Sequence, residues 1–230
     1  MVSLGESRLV LVRHGETAAN AAGLWQGAKD EGLTERGVRQ VQALARRLAS
    51  EYDTATAIYS SSLNRARQTA ELIGNALPYL PFHLRSDLVE YDLGDWSELS
   101  FTALRDEHRL WEKITDDPDF APPGGESARH FAQRIISALR EIASAHAGHA
   151  VIVVSHGGVI ATSLALLIHG DGSRWPDYDM VNAAFSVLVM NDRPHLLRNC
   201  ETDHLADIGS IMWTEQNDER PAWEEEGTCS

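Results

Sequence analysis

Two histidines in this chain stand in similar company: Arg13-His14-Gly15 and Ser155-His156-Gly157-Gly158. Each group follows a short apolar run, Leu9–Val12 and Val151–Val154. A second arginine, Arg65, opens a later helical stretch, and Glu90 follows a further extended one. Two guanidinium groups and an imidazole form a fork of donors suited to a doubly charged phosphoryl group. The glycines beside the histidines let backbone N–H groups approach the same oxygens. A neutral imidazole inside such a cluster can attack phosphorus, and a nearby carboxylic acid can protonate the departing oxygen. Taken singly, each residue has an ordinary explanation as a packed histidine or a surface charge. The convergence of five carries the reading.

That convergence requires particular elements. Leu9–Val12 and Val151–Val154 read as strands buried on both faces. Thr56–Ser60 reads as another strand, and residues 82–89 as a short one. Between Thr34 and Ala49, the apolar positions Val38, Val41, Leu44, Ala45 and Leu48 recur at helical spacing. Leu63–Ile73 reads as a helix capped by Ser61 or Ser62, and Ser127–Ala145 and Val159–Ile168 as two more. Ala184–Met190 and Leu196–Arg198 read as late strands joined by a turn at Asp192-Arg193-Pro194. Strands alternating with helices predict a three-layer α/β/α sandwich with a mainly parallel central sheet. Ligands in such folds sit beyond the carboxyl ends of the strands, where Arg13, His14, Ser155 and His156 fall. Leu93–Gly125 is irregular, with a helix-like piece at Phe101–Trp111, and reads as an insertion over one face.

Arg13-His14-Gly15-Glu16-Thr17-Ala18-Ala19-Asn20 resembles the signature of the histidine phosphatase superfamily, in its phosphoglycerate-mutase-like branch. Five further blocks resemble the family in the same order. They are Asp30 with Leu33–Gly37 and Gln40, Ser62–Ala70, Glu90 with Gly94-Asp95-Trp96, Pro123–Ser127, and Ser155–Gly158. The resemblance implies a phosphoglycerate-mutase-like fold in which His14 becomes phosphohistidine. It implies that Arg13, Arg65 and His156 hold the phosphate, with Asn20, Gln26 and the Gly157 N–H adding donors. Glu90 would be the general acid and then the base that activates water. No metal and no cofactor is required, since the arginines supply the charge. Ser155 beside His156 is not read as a nucleophile, because neighbours on a strand point to opposite faces.

Hydrolysis and mutase chemistry share this pocket. The resembling bisphosphoglycerate-dependent mutases carry Asn where this chain has Gly158, and a longer insertion holding an arginine pair. Here the insertion reads Trp111-Glu112-Lys113-Ile114-Thr115-Asp116-Asp117-Pro118-Asp119, too acidic to welcome a bisphosphate. A phosphatase acting on small phosphomonoesters, such as a sugar phosphate or a phosphoglycerate-type ester, is the favoured reading. A phosphoglycerate mutase is the alternative, and a non-catalytic phosphate-binding module is the third. Trp96, Phe101, Trp111 and Phe120 are expected to wall the leaving-group side. The usual Pro before Leu-Thr is Gly32 here, and the usual Trp-x-Gly is Trp96-Ser97-Glu98, departures that bear on specificity.

The 230 residues are 43% hydrophobic, enough to bury a core without a staple. Net charge is −14, which speaks against nucleic acid or an anionic membrane as partner. Residues 201–230 carry nine acids and one base, more than half of that excess. Residues 1–210 therefore read as one catalytic domain with an insertion at about 93–125, and residues 211–230 as an acidic C-terminal tail. Cys200 and Cys229 form no disulfide framework, and Met1–Arg13 lacks the pattern of a secretory signal, so a cytoplasmic location is expected. A homodimer remains open.

Overall fold

The computed structural model describes residues 6–209. The chain opens with β1 (Ser7–Arg13), the short helix α1 (Ala18–Ala21) and β2 (Leu24–Trp25). Helix α2 (Glu35–Glu51), β3 (Ile58–Ser61), α3 (Asn64–Ala76) and β4 (Phe82–Arg85) follow. The insertion contributes β5 (Leu99–Ser100), a π-helical turn at Ala103–Glu107 and α4 (Leu110–Asp116). Helix α5 (Ala128–Ala145), β6 (Ala150–Ser155), α6 (Gly157–His169), β7 (Phe185–Met190) and β8 (His195–Glu201) complete the order.

Six strands form one sheet in the order β4-β3-β6-β1-β7-β8. The first four are parallel, and β7 and β8 join antiparallel at one edge. The fold is α/β with a mostly parallel central sheet flanked by helices, as the alternation of elements predicts. Leu9–Val12 and Val151–Val154 are all fully buried, because central parallel strands have helices over both faces. Helix α2 lays Val41, Leu44 and Leu48 against that sheet, and α5 lays down Ala138, Leu139 and Ile142.

The register of the two central strands places the site. Arg13 is paired with Ser155, and the His14 N–H donates to the Ser155 carbonyl at 3.0 Å. His14 and His156 therefore leave the sheet side by side. Their rings meet edge to face with centroids 5.1 Å apart.

Three local expectations differ from the structure. The cap of α3 is Leu63, with no side-chain cap bond; Ser61 Oγ accepts from the Leu63 N–H but also faces His156 Nε2. The expected helix over Phe101–Trp111 is broken. Arg109 adopts a left-handed conformation, φ 49°, between the π-helical turn and α4. Cys200 is disulfide-bonded, where the sequence points to no disulfide framework. The expected acidic tail, residues 211–230, lies outside the described residues. Among the described residues no helix is long and apolar enough to cross a membrane.

Candidate active site

His14 begins the loop after β1 and is almost wholly buried. Its Nδ1 lies 2.8 Å from the Gly15 carbonyl oxygen. A carbonyl can only accept, so Nδ1 carries the hydrogen and the lone pair is at Nε2. Burial holds the His14 imidazolium well below its ordinary range, and Arg65 and then Arg13 add to the effect. The ring is thus a neutral base beside two cations. The loop is closely supported. Gly15 N–H donates to Thr69 Oγ1, and Asn182 Nδ2 donates to the His14 carbonyl. A Cβ on Gly15 would stand 2.7 Å from Val41 and 2.8 Å from the Gly37 carbonyl oxygen, so only glycine lets α2 come this close.

Arg65 is fully buried at the start of α3. Its Nε donates to His156 Nδ1 at 3.2 Å, and its two terminal nitrogens donate to Lys29 O at 2.6 Å and Gly27 O at 2.8 Å. His156 Nδ1 is therefore an acceptor, and its Nε2–H faces Ser61 Oγ at 2.8 Å. Burial, then Arg65, keeps His156 neutral as well. Both His156 nitrogens are engaged, so in this arrangement the ring orients Arg65 and presents no free donor. Arg13 donates through one terminal nitrogen to the Met180 carbonyl, while its buried Nε has no hydrogen-bond partner. A buried charged donor without an acceptor is costly. Burial lowers both guanidinium groups; Asp179 and Glu90 oppose this at Arg13, and Glu90 and Asp30 at Arg65. Both stay charged.

Glu90 lies in the loop beyond β4 and a 3-10 turn at Ser86–Leu88. Its Oε1 accepts from Tyr91 N at 2.9 Å and its Oε2 from Gly158 N at 3.0 Å. Gly157, the first residue of α6, has an N–H without an intrahelical partner, as every helix start does. A Cβ there would stand 3.4 Å from the guanidinium carbon and Nε of Arg13. Asn20 Oδ1 accepts from Asn182 Nδ2, leaving its own amide hydrogens unassigned. Gln26 bridges Thr17 Oγ1 and Glu31 Oε1, so it braces the signature loop. Ser155 Oγ donates to the Leu88 carbonyl, as expected of a side chain on the far face of the strand.

The structure thus brings His14, His156, Arg13, Arg65, Gly157 and Glu90 together, with Asn20 and Gln26 in the supporting loop. Sequence reasoning missed several supports. Arg134 donates to the Asp87, Val89 and Glu90 carbonyls and pairs with Glu126, whose Oε1 accepts from Asp92 N. The signal was present: Glu126, His130 and Arg134 recur at four-residue spacing at the start of α5. Asn182 carried no such signal, since a loop amide is common, and Gly158, which the sequence places beside His156, gave no sign that its partner is Glu90.

The aromatic residues of the insertion make two sets of ring contacts over one apolar cluster. Phe101 and Trp111 join Trp25 and Trp175, with Trp25 and Trp111 meeting edge to face at 5.4 Å. Trp96 and Phe120 meet each other beneath Lys113, and with Trp25 and Trp111 they pack on Leu93, Leu104 and Leu110. Trp25 is two residues from Gly27, whose carbonyl holds Arg65.

Comparison with known proteins points the same way. The family described as histidine phosphatase superfamily (branch 1) matches residues 9–201. A metal-independent phosphoserine phosphatase of Arabidopsis thaliana is 32% identical over 220 residues, 94% of this chain and 90% of that protein. A 2,3-bisphosphoglycerate-dependent phosphoglycerate mutase of Methylobacterium sp. (strain 4-46) is 34% identical over 171 residues, 70% of this chain and 81% of that protein. Among solved structures, a mycobacterial glucosyl-3-phosphoglycerate phosphatase superposes with TM-score 0.73 at 29% identity, covering 85% of this chain and 100% of that one.

Proposed function

The chain belongs to the histidine phosphatase superfamily, and on that premise we propose that it hydrolyses small-molecule phosphomonoesters, without a metal or cofactor, through a phosphohistidine on His14. The observation that carries this reading is the state of His14: neutral, Nδ1–H held by Gly15 O, and the Nε2 lone pair on a ring near both Arg13 and Arg65. An arriving phosphoryl group is met by those two guanidinium groups, including the unpartnered Nε of Arg13, and by the Gly157 N–H. The Nε2 lone pair forms the N–P bond. The P–O bonding pair leaves with the alcohol oxygen, which takes a proton from Glu90. Water then attacks phosphorus, Glu90 takes its proton, and the N–P pair returns to Nε2.

Hydrolysis is favoured over mutase chemistry by the insertion. Its cations are already occupied: Arg105 pairs with Asp106, Arg109 with Glu112, and Lys113 covers Trp96 and Phe120. A second carboxylate or phosphate would have to compete for each. Phosphoserine and glucosyl-3-phosphoglycerate, the substrates named for similar proteins, belong with sugar phosphates in the first panel to try.

The test is hydrolysis of p-nitrophenyl phosphate in EDTA, beside 3-phosphoglycerate with a trace of 2,3-bisphosphoglycerate. The expected result is EDTA-resistant phosphate release, reduced more than about 10³-fold in His14→Ala, with acid-labile phosphate trapped on His14 in the native chain. Interconversion of phosphoglycerates without net phosphate release would make the protein a mutase. No turnover across a phosphoester panel would make it a binding module.

A further inference from the structure

Glu90 is held at two levels. Its backbone is clamped by Arg134, but its carboxylate is a separate matter, because the side chain projects from a loop. Two N–H groups reach that carboxylate. The one from Tyr91 is local and moves with Glu90, so it cannot fix the acid relative to the nucleophile. The one from Gly158 comes from the first turn of α6. That helix starts directly after β6, whose Ser155 is paired with Arg13 on the strand that delivers His14. Gly158 therefore ties the acid to the same rigid frame that carries the nucleophile.

The missing side chain matters as much as the N–H. A Cβ on residue 158 would stand 2.6 Å from Glu90 Oε1, 3.1 Å from its Cδ and 3.3 Å from Oε2. Ordinary contact begins near 3.4 Å, so the carboxylate would have to retreat by nearly 1 Å. Nothing else asks for glycine here. Its φ lies outside the left-handed region, and it stands within a helix, where alanine is preferred.

We propose, resting on the phosphatase reading above, that Gly158 is a positioning residue: its N–H and its lack of a side chain set the place from which the Glu90 carboxyl protonates the leaving oxygen. The consequence is leaving-group selective. An alkoxide needs the proton of Glu90 as its bond to phosphorus breaks, whereas p-nitrophenolate departs without one. Gly158 thus sets how fast this enzyme acts on alcohol phosphates, including sugar phosphates, relative to activated esters.

The experiment compares kcat/KM for glycerol 3-phosphate and p-nitrophenyl phosphate in the native chain and in Gly158→Ala. This ratio ends at transfer to His14, so hydrolysis of the shared phosphohistidine does not enter. The expected result is a loss of about 10–100-fold on glycerol 3-phosphate and less than about 3-fold on p-nitrophenyl phosphate, with Tm unchanged or raised. In a Glu90→Asp background the shorter acid leaves room for the methyl group, and adding Gly158→Ala should then cost less than about 2-fold. Equal losses on both esters, or no loss on glycerol 3-phosphate, overturn the proposal. So does a Gly158→Ala cost that is undiminished in the Glu90→Asp chain. A native chain that turns over neither these esters nor any other member of the phosphoester panel overturns the phosphatase reading itself, and this proposal with it.

Discussion

His14 and His156 are both neutral, but for opposite uses. His14 gives its Nδ1–H to a main-chain oxygen and keeps Nε2 as a lone pair. His156 reverses the tautomer, accepting at Nδ1 from Arg65 and directing Nε2–H toward Ser61. The two tautomers are set by what each neighbour can do: a carbonyl cannot donate and a guanidinium cannot accept. Nitrogen-15 NMR should therefore find His14 Nε2 and His156 Nδ1 as the unprotonated nitrogens. Both should stay so as pH falls from 7.5 to 6, because burial opposes a charged ring more strongly than the bulk solution favours it. A His14 ring that protonates near the ordinary histidine range would remove the basis for its nucleophilic role.

Helix α5 acts on the site without entering it. Ser127 caps its first turn, and Glu126 and Arg134 form a largely buried pair that grips the 87–92 segment by three carbonyls and one N–H. Where that segment turns toward the Pro-Gly-Gly loop the chains touch backbone to backbone. Gly94, at φ 51°, has the Pro123 carbonyl oxygen 2.2 Å from where a Cβ would stand. Replacing Arg134 by methionine keeps the length of the side chain but takes the guanidinium from Glu126, leaving it His130 and the Asp92 N–H, and removes the donor of three carbonyls. Urea denaturation should show a loss of about 2–4 kcal/mol. Activity on alcohol phosphates should fall with it, since the Glu90 main chain is released. A loss of stability under about 0.5 kcal/mol would show that solvent replaces the clamp.

The whole molecule is acidic, while its site is cationic and buried. Burying His14 and His156 as neutral rings couples the site to folding. Both folded-state pKa values lie below the unfolded value near 6.5, so below that pH the unfolded chain binds protons that the folded chain refuses. Stability is then level above about pH 7 and declines as pH falls through 6.5, by up to about 1.4 kcal/mol per pH unit for each ring. Denaturation midpoints at pH 7 and pH 5.5 should differ accordingly, and His156→Gln should remove about half of the difference. A midpoint that rises on acidification would contradict the assignment. The acidic surplus is a separate quantity, since more than half of it lies in residues 201–230, beyond the last motif block.

Much of this was legible from the chain alone, for a physical reason. Apolar runs such as Leu9–Val12 and Val151–Val154 report burial directly, and burial on both faces with intervening helices admits few topologies. The motif blocks from Arg13 to Gly158 marked the residues that converge. The sequence did not show how those residues divide their hydrogen bonds. That His156 orients Arg65, that Gln26 braces Thr17, and that Gly158 meets Glu90 all depend on contacts between elements far apart in the chain. Sequence patterns report local conformation and burial, so they determine which groups arrive at the end of the sheet. Only the packing of β1, β6, α3 and α6 around one point decides which donor faces which acceptor.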